Sequence, residues 1–129
     1  MTRFPGVSSQ PPPRPVVVHV SRAGPLMTVV LCGDLDGITA PAVVEVIETL
    51  AVSPVRQVVL EATDVGFLDL AGLRTLLRAH RLSARRGVRL TLHHPAPHIR
   101  WLLTFTDTAA LLLDHESSTT ADDAPNRRA

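Results

Sequence analysis

Lysine is missing altogether: the thirteen basic residues of this 129-residue chain are all Arg. With abundant Ala, Val and Leu, that usage points to a GC-rich genome, which is a source and not a mechanism. Twelve acids leave a formal net charge of only +1, so no strong field draws the molecule to nucleic acid or anionic lipid. The single cysteine, Cys32, excludes an internal disulfide framework and any multi-cysteine zinc site. It sits in an apolar run, reads as a core residue, and fits a reducing cytoplasm. No apolar run reaches membrane-spanning length, and MTRFPGVSSQPPPRP lacks the apolar core of a signal peptide. The expectation is a soluble, cytoplasmic protein. A Gly-rich phosphate loop, a Ser/His/Asp motif and a catalytic acid pair are also missing. Neither an enzyme nor a bound cofactor is expected.

What is present reads as one domain between two tails, since 129 residues bury roughly two-thirds of their unfolded surface in a single core. The Pro-rich 1–14 and the polar 116–129 have too little apolar surface to pack and are expected to be flexible. The domain is assigned to 15–115. Within it, Val16–Val20 and Leu26–Gly33 are β-branched runs around a Gly-Pro turn signal and predict a hairpin. Val43, Val46, Ile47 and Leu50 repeat at helical spacing behind Thr39 as N-cap. Val55–Leu60 and Val88–Leu92 predict two more strands, with a helix from about Leu70 to Arg86 between them that stops at Gly87. A short helix near 96–105 and an apolar run, Ala109–Leu113, follow. Alternating strands and helices predict an α/β fold with helices packed on a sheet.

On the long helix, Leu73, Leu76, Leu77, His80 and Ala84 cluster on the face expected to meet the sheet. Arg74, Arg78, Arg81 and Arg85 form a second stripe about a quarter-turn away. It reads either as a solvated face or as a charged docking rim. Leu70 falls between the two stripes. His93, His94 and His98 lie close in sequence, but successive strand residues point to opposite faces, so no metal site is assigned. Trp101 lies between Ile99 and Leu102, which suit the core. It serves either as an exposed contact anchor or as packing against its own domain.

GDLDGITAP (33–41) resembles the Gly-acid-Leu-Asp segment before the first helix of STAS domains, the anti-sigma factor antagonist family. FLDLAGL (67–73) resembles that family's Asp-Ser-Ser/Ala-Gly-Leu signature, and IRWLLTFTD its helix before the last strand. Asp107 departs from the Gly common there. The resemblance implies a STAS-like mixed sheet of four to five strands with helices packed on one side. It also implies non-catalytic binding of an anti-sigma factor of the serine kinase type. Partner contacts are expected at Asp36, Asp69, Leu70, Ala71, Gly72, Arg74, Arg78 and Arg81.

In such antagonists the kinase phosphorylates the Ser after the Asp and ends the docking. Leu70 occupies that position here, so no phosphorylation is expected at the family site. Three outcomes remain open for Leu70: an interface that phosphorylation cannot release, a surface retuned for another partner, or packing in a domain that has lost its regulatory role. The alternative function is a STAS-like accessory subunit of a lipid-transport ATPase complex, and nucleotide binding is a third. Asp69 is both a helix cap and a family match.

Overall fold

The computed structural model describes residues 15–113. The tail assignments 1–14 and 116–129 lie outside the described residues. Strands β1 (Val17–Ala23) and β2 (Leu26–Leu35) form the hairpin, and Gly24 supplies the positive φ that its turn needs. Then come α1 (Ala40–Leu50), β3 (Gln57–Leu68), α2 (Leu70–Arg85), β4 (Arg89–His93), α3 (Pro97–Phe105) and α4 (Ala109–Leu112). The sheet order is β1-β2-β3-β4, antiparallel at the first pairing and parallel at the next two. This is the expected mixed sheet. Leu113 makes a lone parallel bridge to Leu92, the only trace of a fifth strand among the described residues.

Alternation along β2 sends Met27, Val29, Leu31 and Leu35 into the core and leaves Thr28, Val30 and Cys32 half-buried on the opposite face. Cys32 is therefore not the core residue its apolar neighbours suggest; its Sγ lies 3.9 Å from Asp64 Oδ2. From α1, Val43, Val44 and Ile47 join the core, while Val46 and Leu50, expected there, are half-buried. Ile99, Leu103 and Leu112 of α3 and α4 enter the same cluster.

The buried face of α2 is rotated from the expected one. Gly72, Leu73, Leu76, Ala79 and Ser83 are buried, Leu77 and His80 are half-buried, and Ala84 is exposed. Leu76 is the most deeply buried residue of the helix, Ala79 and Ser83 continue its buried face, and Leu77 and His80 lie at the edge. His80 Nδ1 lies 3.3 Å from the Leu90 carbonyl oxygen on β4.

Strand β3 continues well past Leu60, its expected end. The register against β2 slips between Val30 and Cys32 and again between Gly33 and Asp34, so side-chain alternation breaks twice. A bulged strand with exposed Thr63, Asp64 and Gly66 carries no period-2 signature. The second slip carries the strand to Leu68, directly before α2.

Candidate docking site at the carboxyl ends of the parallel strands

Because β2, β3 and β4 run parallel, the turns that follow them open at one end of the sheet. There, Asp69 has extended backbone, and its Oδ1 accepts a 2.7 Å hydrogen bond from Gly72 N, capping α2. Its own N–H donates to the carbonyl of Leu35, at the end of β2, over 3.3 Å. The helix start is thus pinned to two strands. Gly72 makes this possible: a Cβ there would stand 2.5 Å from Leu35 O and 3.1 Å from Leu68 Cδ1.

Asp36 organises the neighbouring turn. Its Oδ1 accepts from Ile38 N at 2.8 Å and Thr39 N at 2.9 Å. The Thr39 N–H, followed by that of Ile38, holds the Asp36 carboxyl below its usual range. Thr39 is not the side-chain cap expected from sequence; its hydroxyl donates to Asp34 O at 2.6 Å, and the Asp36 carboxylate takes the amides of Ile38 and Thr39, which precede the helix. A Cβ on Gly37 would lie 3.1 Å from Ala71 Cβ, so this turn abuts the start of α2.

Around these two acids the surface is apolar. Leu70 is 55% exposed, Ile38 81%, and Phe67 about half. Leu70 therefore projects outward and is not packing at the margin of the core. The start of α3 reaches the same end, because His98 Nε2 donates to the carbonyl of Gly66 at 2.9 Å. One and two turns on, Trp101 (62% exposed) and Phe105 (73%) stack with centroids 4.9 Å apart. Trp101 is thus exposed, with one ring face against Phe105 of its own helix.

Arg74, Arg78, Arg81 and Arg85 are all exposed, and none forms an ion pair among the described residues. Arg78 shares a shallow groove with Glu45 and Glu48 of α1. Sequence reasoning brought Asp36, Asp69, Leu70, Ala71 and Gly72 to this end, with Arg74, Arg78 and Arg81 along the adjoining helix. It missed Ile38, Phe67 and Phe105. The i, i+4 spacing of Trp101 and Phe105 was the available signal for the last.

The histidines go to separate partners. His94 Nδ1 sits 3.0 Å from Glu61, whose carboxylate also accepts from the Thr63 hydroxyl. Burial works to raise the Glu61 pKa, but Thr63 and then His94 outweigh it and lower it. His93 Nε2 lies 3.2 Å from Thr91 Oγ1.

The arrangement of a mixed sheet, an Asp-capped helix after its third strand and a Gly seated against the end of the second can be compared with known proteins. The family model described as "Mlab, STAS domain" matches residues 18–114. The chain belongs to the STAS domain family. Its fold is similar to the unphosphorylated form of the anti-sigma factor antagonist SpoIIAA, with a TM-score of 0.64 at 19% identity over 79% of this chain and 92% of that one. An anti-sigma factor antagonist from Mycobacterium paratuberculosis gives a TM-score of 0.59 at 22% identity, covering 82% of this chain and 92% of that one. The murine anion transporter Slc26a9 gives 0.56 at 14%, covering 84% of this STAS chain but only 22% of its own. The search of curated proteins finds no match. Among the described residues, no helix is long and apolar enough to cross a membrane.

Proposed function

We propose that this STAS domain is a non-catalytic regulator that binds an anti-sigma factor kinase through the start of α2, and that Leu70 removes the usual phosphorylation switch. The observation that carries the reading is the exposure of Leu70 at the first helical position, between an Asp cap and the apolar Ile38 and Phe67. A phosphoserine there would add nearly two negative charges beside Asp69 and Asp36. Burying them in an interface costs desolvation and like-charge repulsion that the helix dipole only partly offsets. Leucine has no hydroxyl to modify and instead offers apolar area to a partner. The nearest hydroxyl on the helix, Thr75, already donates to Ala71 O at 3.0 Å.

The test is incubation with a purified anti-sigma factor kinase and ATP. The wild type should bind, gain no phosphate, and stay bound, whereas Leu70→Ser should become a substrate and be released. Stoichiometric phosphorylation of the wild type with loss of binding would defeat the reading. The same missing hydroxyl suits the second reading, an accessory subunit of a lipid-transport ATPase complex. Affinity purification from native cells separates the two, by recovering either an anti-sigma kinase or transporter subunits.

A further inference from the structure

Helix α2 spans sixteen residues without a single acid, yet carries four arginines on its exposed side. Arg74 with Arg78, and Arg81 with Arg85, are like-charge pairs at i, i+4, which are mildly destabilising unless something neutralises them. Arg78 has the acids of α1 beside it. Among the described residues Arg81 and Arg85 have none: they line a trough of about 390 Å³ beside α4, with Leu77, His80, Ala84 and Leu111 as the other described lining residues. Among the described residues, no carboxylate belongs to that lining. The Leu90 carbonyl can only accept, so His80 Nδ1 carries the hydrogen of their contact.

The trough is open. Ala84 and Leu111 are exposed, so it cannot enclose most of a small molecule's surface as a ligand pocket does. None of its lining residues is Phe, Tyr or Trp, the side chains on which nucleic-acid bases stack. The chain's own residues 114–129 include acids but no large apolar side chain to fill it. From Leu77 to Arg85 the trough runs along roughly 12 Å of helix, about two turns. An apolar floor with a basic border that no described acid neutralises matches a helix with apolar residues on one face and carboxylates at its flank.

We propose that the trough receives an acidic amphipathic helix of the partner protein, with its apolar side chains against Leu77, Ala84 and Leu111 and its carboxylates on Arg81 and Arg85. This rests on the reading of α2 as the docking helix and extends the contact from Leu70 toward the helix C-terminus. Charge complementarity selects the occupant.

The probe is a synthetic peptide of about 15 residues, long enough for a marginal helix, with Leu at helical spacing and Glu on both flanks. Titrated into the full-length ¹⁵N-labelled protein, it should shift amide resonances over 77–85 and 109–113. Affinity should fall at least about tenfold in the double variant Arg81→Glu/Arg85→Glu and should weaken with added salt. A scrambled peptide of the same composition should not bind. Any of four results overturns the proposal: no shifts at millimolar peptide, equal binding of the scrambled control, unchanged affinity of the double variant, or trough resonances that move on deletion of 114–129 alone. A kinase that binds wild type and double variant equally also overturns it. Unchanged kinase binding by Leu70→Asp counts against the docking junction itself, and the peptide titration is read separately from it.

Discussion

Leu70 and its two neighbours divide the work of the junction at the scale of single residues. Asp69 holds the helix, Gly72 lets it approach, and Leu70, with most of its side chain in solvent, is free to contact something else. Asp69→Ala should cost about 1 kcal/mol of stability, the usual loss of a cap, measured by denaturant melting. Gly72→Ala should cost more. Overpacking against Leu35 and Leu68, at about 1–3 kcal/mol, exceeds the roughly 0.5–1 kcal/mol that Ala gains over Gly in a helix. A more stable Gly72→Ala protein would show that the helix start shifts freely. Leu70→Asp should leave the melting midpoint almost unchanged, because an exposed acid in the first turn suits the helix dipole. Its binding to the proposed kinase partner should nevertheless fall ten- to a hundredfold, since a buried Leu is worth about 1.5–3 kcal/mol and the new charge is unpaired. Binding as tight as wild type by the folded variant would exclude this junction as the interface.

At the scale of elements, the turn between β2 and α1 is held by one carboxylate. Asp36 accepts two backbone N–H groups, and its folded pKa lies below its ordinary value of 3.8. A depressed carboxylate contributes stability that is complete above its unfolded value and disappears as pH falls through the folded one. In an acid titration followed by NMR, the Asp36 carboxyl should therefore respond below 3.8, and the amides of Ile38 and Thr39 should move with it. Asp36→Asn should abolish that step. A midpoint at or above the ordinary value would mean that the turn is not held this way. Because Gly37 abuts Ala71, loosening the turn should also disturb its contact with the start of α2.

On the scale of the whole molecule, the parallel arrangement of β2, β3 and β4 is what gathers separate turns at one end. A net charge of +1 leaves recognition to local features: exposed apolar side chains at that end and arginines along α2. The segments outside the core should contribute little to its stability. Removing 1–13 and 117–129 should shift the thermal midpoint by less than about 2 °C, where 1 kcal/mol corresponds to about 4–8 °C in a domain of this size. A larger drop on either truncation would show that the segment packs on the domain and that its polar composition is outweighed by contacts.

Local chemistry was enough to place most elements, because hairpins, helix caps and apolar periods act over a few residues. Gly24-Pro25 marks the first turn, Asp69 the start of α2, and the arginine stripe its exposed side. The absent hydroxyl at Leu70 is likewise a fact of sequence. Tertiary packing decided the rest. The bulges of β3 depend on pairing with β2, so its final residues, up to Leu68, carry no legible period. Whether Ala79 or Leu77 is buried on α2 depends on how the helix is rotated against its neighbours, which periodicity to within a quarter-turn does not resolve. Thr39 is a good cap by residue type, yet once the turn closes its hydroxyl is taken by the Asp34 carbonyl. Ile38, the adjoining Phe67 and Leu70, and Trp101 lie on three segments far apart along the chain. Parallel pairing brings the segments that carry them to one end of the sheet, because residues distant in sequence become neighbours only when the strands between them align.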